Sequence, residues 1–111
     1  SGGQYGGVCF AAQAPRQLQL ELSLECPEAI QSLFVDGYDH AQQRALRWEW
    51  RRPRGGDAEK LSVTLVPGQR AADFVPALDA SRVQDVREVH VFARIDPGRR
   101  AGFTLHRAAT A

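Results

Sequence analysis

The sequence has no methionine, only two cysteines, and a single lysine, Lys60, among 14 basic residues. No run approaches the roughly 18 consecutive apolar residues of a membrane-spanning helix, so membrane insertion by this segment is not expected. No charge sign dominates. The formal net charge is +1, which leaves neither the electrostatic footprint of a nucleic-acid binder nor a polybasic membrane signal. The arginine-for-lysine bias, with much alanine, glycine and proline, is read as the composition of a GC-rich genome. The opening "SGGQYGG" without methionine reads as the start of a fragment or processed product, with residues 1–7 a flexible Gly-rich lead or tag scar and the rest of a parent chain expected elsewhere.

Signatures of catalysis are also missing. Ser23, Ser32, Ser62 and Ser81 lie in ordinary strand or cap contexts, none on a strand-to-helix elbow of the G-x-S-x-G kind. The glycines near the start lack the Lys-Ser/Thr ending of a phosphate loop. His40, His90 and His106 are scattered, with no metal-ligand spacing, so neither a metal nor any other cofactor is expected. The expectation is a non-enzyme.

What the sequence does contain is strand grammar. "RQLQLELSLEC" alternates Leu18, Leu20, Leu22, Leu24 and Cys26 with polar residues, the pattern of a strand with one buried face, and Pro27 ends it. "IQSLFVDGYD" is a second strand closed by a turn at Asp36-Gly37. "RALRWEWRR" puts Leu46, Trp48 and Trp50 on one face and Arg47, Glu49 and Arg51 on the other. "PRGGD" is a loop, "EKLSVTLVP" a further strand, and "ADFVP" a short extended piece. "REVHVFARID" alternates Val89, Val91, Ala93 and Ile95 with Glu88, His90, Phe92 and Arg94. "FTLHR" is the last strand, and residues 108–111 are expected to fray. These elements predict an all-β single domain over residues 8–107: an antiparallel β-sandwich, jelly-roll-like, of seven or eight strands. One short helical turn near 79–86, capped by Asp79 or Ser81, interrupts the pattern. It is too short to stand alone and must be held by packing of Leu78, Val83 and Val86.

The order "LDASRV", "VREVHVFA", "GFTLHR" resembles the C-terminal half of galactose-binding-like jelly rolls, notably the carbohydrate-binding modules of bacterial polysaccharide-acting proteins. The likeness covers the C-terminal third. One departure is His106, which stands where the last strand of such modules carries an acidic residue. The resemblance implies a non-catalytic, extracytoplasmic (periplasmic or secreted) module that binds carbohydrate or polysaccharide. A structural protein–protein interaction domain, docking a larger envelope or secretion protein to a partner, is the alternative.

Two surfaces are candidates for binding. Trp48 and Trp50, facing one side, are either core or a platform on which the apolar face of a sugar ring stacks. The segment "DGYDH" places Asp36, Tyr38, Asp39 and His40 in a loop at a sandwich end, where such folds hold ligands. If both indole rings are buried, the weight moves to that loop and to the outward Arg47, Arg51, His90 and Arg94, whose charge would favour an acidic polymer. "RWEWRRPR" interleaves aromatic and basic residues, but Glu49 interrupts it and no nucleic-acid partner is expected. Cys9 and Cys26 are a candidate disulfide joining the first strand to the next, against the alternative of two reduced thiols.

Overall fold

The computed structural model describes residues 5–51 and 59–111; the loop read at "PRGGD" lies outside the described residues. Eight strands form two antiparallel sheets: β1 (Tyr5–Ala11), β2 (Leu18–Glu25), β3 (Ile30–Tyr38), β4 (Arg44–Trp50), β5 (Lys60–Leu65), β6 (Phe74–Pro76), β7 (Glu88–Ile95) and β8 (Gly102–Thr110). The larger sheet runs β1-β7-β3-β4-β6 and the smaller β5-β2-β8. The sandwich expected from the alternating segments is the observed architecture.

The core follows the pattern of the sequence. Leu18, Leu20, Leu22 and Leu24 of β2 point inward against Leu33 and Val35 of β3 and against Val89, Val91, Ala93 and Ile95 of β7, all buried. Each leucine, isoleucine or valine among them contributes about 1.5–3 kcal/mol on leaving water. Trp48 and Trp50 are 0% and 1% exposed. The indole N–H of Trp48 donates to the Gln69 carbonyl at 3.0 Å, so its one polar group is satisfied inside. A buried ring cannot stack on a ligand, and the tryptophan platform is thereby excluded.

The strands extend past their expected ends. β1 already begins at Tyr5, inside the stretch read as a flexible lead. In the stretch expected to fray, β8 runs to Thr110, and the main chain of Ala111 exchanges hydrogen bonds with Arg16 and Gln17. Asp36 and Gly37 belong to β3 rather than to a turn. Gly37 is there for space, since a β-carbon would sit 3.1 Å from both Leu46 Cβ and Val86 Cγ2. The hairpin turn falls one step later, where Asp39 Oδ1 accepts from the backbone N–H groups of Ala41 and Gln43 at 2.9 and 2.8 Å.

The short helical turn is present as a 3-10 corner, Ala80–Asp85, with Asp79 accepting from the Ser81 N–H at 2.9 Å. Val86 holds it by packing, fully buried behind Gly37. A second tie is polar: Arg82 Nη2 meets buried Asp39 Oδ2 at 2.6 Å, latching the corner to the β3–β4 turn. A further 3-10 turn, Pro27–Ala29, was not foreseen. It follows Cys26, whose φ of 51° turns the side chain out of the row that Leu18 to Leu24 keep. Cys9 and Cys26 are both free and exposed, so the expected disulfide is absent. The strands they belong to lie in different sheets, with Cys9 in mid-β1 and Cys26 in the corner after β2.

Candidate functional site

The outer face of the five-stranded sheet is where register and sequence combine. Alternation sends Phe34, Asp36 and Tyr38 of β3, and Glu88, His90 and Phe92 of β7, to the same side. The antiparallel pairing then arranges them in rows across the strands. One row reads Cys9, His90, Asp36, Arg47 from β1 to β4. The row beside it reads Gly7, Phe92, Phe34, Glu49, and the row on the other side reads Ala11, Glu88, Tyr38, Arg44.

Asp36 organises the centre. It is fully buried although it points away from the core, because Arg47, Arg44 and Tyr38 close over it. Arg47 forks onto it, Nε to Oδ1 and Nη2 to Oδ2, both at 2.8 Å. Arg44 Nε reaches Oδ2 at 2.9 Å, and the Tyr38 hydroxyl donates to the same oxygen at 3.3 Å. The Asp36 carboxylate, before any other cause, raises the Arg47 pKa above its ordinary value, so its charge is fixed. The guanidinium lies over an aromatic pair: Cζ is 4.3 Å from the Phe34 centroid, and Phe34 stacks on Phe92 at 5.1 Å. Tyr38 leans on His90 at 4.6 Å, and His90 Nε2 meets Glu88 Oε1 at 2.9 Å. That hydrogen bond, aided by one from Gln42, holds the Glu88 carboxyl below the usual carboxylate range. A hollow of about 330 Å³ opens at the β1 side, lined by Gly7, Val8, Cys9, Tyr38, His90 and Phe92.

Four of the expected residues therefore meet: Asp36, Tyr38, Arg47 and His90. Arg94 lies on the same face one row further along β7, and exposed Arg51, just past β4, pairs with Glu49 at 3.3 Å. His40 is exposed at the hairpin tip. Asp39 serves the corner latch instead of the face. Phe34, Phe92, Arg44 and Glu88 were not among the expected site residues. Their outward alternation was visible in "LFVDGY" and "REVHVF", but the register that makes them neighbours is a tertiary fact.

The outer face of the smaller sheet carries a roomier hollow, about 430 Å³, between β2, β5 and β8. There Ser23 Oγ contacts Nε2 of His106 at 2.6 Å, at a bulge that interrupts the β2–β8 register. Among the described residues no carboxylate bonds the other nitrogen of that ring, and no phenylalanine, tyrosine or tryptophan lines the hollow.

Fold and face together define a β-sandwich domain with a preorganised arginine–aromatic surface on its larger sheet. No family model, no curated protein and no solved structure matches this chain, and the site is therefore read from its own residues.

Proposed function

We propose that this domain is a non-catalytic carbohydrate-binding module and that its ligand lies across the outer face of the five-stranded sheet. The observation that carries the reading is the aromatic strip of Phe34, Phe92 and Tyr38 set beside donors and acceptors that are already ordered. A sugar presents an apolar C–H face for stacking and hydroxyls around its rim for hydrogen bonds. The half-buried Phe92, beside exposed Gly7, offers the ring; Arg47, Tyr38, His90 and Glu49 offer the polar rim. Because these polar groups are held by one another, little side-chain entropy is lost on binding. Arg44 and Arg47 share one carboxylate and Arg51 pairs with Glu49, so the positive excess is small. Neutral or weakly acidic polysaccharide fits better than a highly charged polymer. The resemblance of the C-terminal third to carbohydrate-binding modules supports the same reading. An extracytoplasmic location rests on that resemblance alone, since the two cysteines are free.

A second reading has its own observation. The β1 edge, "YGGVCFA", carries no charge, and Val8 is 41% exposed there. Uncharged edges of this kind pair with added strands, which favours a protein-interaction domain of an envelope or secretion protein. A glycan array at two salt concentrations, run beside a pull-down from envelope extract, separates the two. The expected result is glycan binding that Phe92→Ala and Arg47→Met each weaken roughly tenfold, about 1.4 kcal/mol. No glycan bound, with a single protein recovered, overturns the carbohydrate reading in favour of the second.

A further inference from the structure

The two sheets end in the strands β1, β6, β5 and β8, and three of these edges carry a device against pairing. β6 is three residues long and ends in Pro76, β5 opens on Lys60, and β8 is bulged at His106, beside Arg107. β1 is seven residues long, has no charge and no proline, and pairs with β7 without a register shift. The ladder shows what its open edge offers. The Ala12 N–H donates to the Arg87 carbonyl at 3.1 Å, in line with the β1–β7 register. Every second residue repeats that direction. Phe10, Val8 and Gly6 therefore bond to β7, while Tyr5, Gly7, Cys9 and Ala11 turn their N–H and C=O groups to the open side. Val8 shares the inner face of the sheet with buried Val91, its direct partner, yet is 41% exposed. With Ala93, Ile95, Ala101 and Phe103 it lines a hollow of about 150 Å³ between β7, β1 and the start of β8.

We propose that the occupant of this edge is a second copy of the chain, its β1 antiparallel to the first about a two-fold axis at Val8. Self-pairing rests on the protein-interaction reading of this edge, names its partner, and does not depend on sugar binding. The register centred on Val8 uses all seven residues and joins the outward groups of Tyr5 to Ala11 and of Gly7 to Cys9. Phe10 then faces Gly6 and Cys9 faces Gly7, so each larger side chain has a glycine opposite. The two half-exposed Val8 side chains meet at the close, non-hydrogen-bonded position. Charge agrees with the antiparallel sense. Ala11 pairs with Glu88 and Tyr5 with Arg94 on β7, so each end row sets the acid of one copy toward the arginine of the other. The larger sheets become one of ten strands, with both arginine–aromatic faces on the same side. Pairing along a single edge is a small, reversible interface, below about 1,200 Å².

Sedimentation velocity on the purified chain, from about 1 to 500 μM, reads the assembly, and a monomer–dimer midpoint on the order of 50 μM is expected of so small an interface. Val8→Lys, checked for folding by circular dichroism, raises that midpoint at least about tenfold by setting two ammonium groups face to face. Leu78→Lys, at an equally exposed apolar residue off this edge, leaves it unchanged. A cross-link reads the register without a charge. In a chain with Cys9→Ser and Cys26→Ser, Val8→Cys closes an intermolecular disulfide on mild oxidation, because facing residues there have Cα atoms about 4.5 Å apart. Natural Cys9, in a Cys26→Ser chain, stands diagonal to its counterpart at about 7–8 Å and cross-links roughly tenfold more slowly. A chain that stays monomeric over the whole range overturns the proposal, and does so even where a pull-down through the β1 edge recovers another protein, which would leave the protein-interaction reading standing without it. A dimer indifferent to a folded Val8→Lys variant, or cross-linking through Cys9 as fast as through Val8→Cys, also overturns it.

Discussion

Replacing Asp36 by asparagine changes two atoms' chemistry and almost no volume, so its cost isolates the electrostatic part of the face. The wild-type carboxylate is fully buried and receives the Arg47 fork at 2.8 Å twice and Arg44 at 2.9 Å. Asparagine keeps one acceptor oxygen and turns an NH2 toward guanidinium donors, leaving both arginines without their charge partner. Breaking a fully buried ion pair costs about 3–5 kcal/mol. Here the Arg47 and Arg44 side chains retain 20% and 39% of their exposure, so water rescues part of each cation, and exposed pairs are worth only about 0–1 kcal/mol. The expected loss lies between these bounds, about 2–3 kcal/mol, or a fall in Tm of about 10 °C for a domain of this size. Urea unfolding followed by tryptophan emission reads it directly, because Trp48 and Trp50 are both buried in the native state. The Asp36→Asn, Arg47→Met double-variant cycle should return a coupling of about 1.5 kcal/mol or more. Glu49→Gln, whose partner Arg51 is 73% exposed, should cost under about 0.5 kcal/mol. A loss below about 1 kcal/mol for Asp36→Asn, or no coupling to Arg47, would refute the buried clamp and with it the claim that the face is preorganised.

Gly37→Ala should destabilise by about 1–3 kcal/mol in the same unfolding assay, since the added carbon meets Leu46 Cβ and Val86 Cγ2 at 3.1 Å and neither strand nor corner can retreat freely. A neutral or stabilising result would mean that the corner is loosely packed. Arg82, above all through its hydrogen bond, lowers the Asp39 pKa from the ordinary 3.8, so the stability this pair adds is complete above that value and is lost as pH falls through the lower folded value. Arg82→Gln should therefore reduce the loss of stability on acidification below about pH 4, and an unchanged acid limb in pH-dependent melts would show the latch to be idle.

Much of the fold could be read along the chain because strand alternation is local. Leu18 to Leu24, and Val89 to Ile95, point inward as their spacing demands, and the 3-10 corner falls between Asp79 and Val86 where cap and apolar residues call for it. Asp36-Gly37 misled because the pair is a common turn signal, while here the glycine is required by the approach of Leu46 and Val86, which no local pattern announces. Cys26 continued the two-residue period on paper; the left-handed backbone before Pro27 breaks it in space. For Trp48 and Trp50 the period gave the shared face but not whether that face was wet. The clamp on Asp36 was half visible, through Asp36 and Arg47, because side-chain type suggests a partner whereas only register supplies one.

That same register has a kinetic consequence. Tyr5 of β1 pairs with Arg94, and Leu18 of β2 with Thr110, so the first two strands have their main neighbours near the other end of the sequence. The β3–β4 hairpin, closed by the Asp39 turn, is the pairing of nearest strands along the chain and the natural place for folding to begin. Such long closures slow β-sandwich folding to milliseconds or more, because chain entropy is lost before the distant contacts form. On the ribosome the leucine row of β2 emerges early and cannot be covered on its β8 side until the last strand has been made, leaving an apolar ribbon exposed during synthesis. A chain interrupted before β8 would therefore be a substrate for chaperones, whereas the same strand in the finished sandwich is sealed.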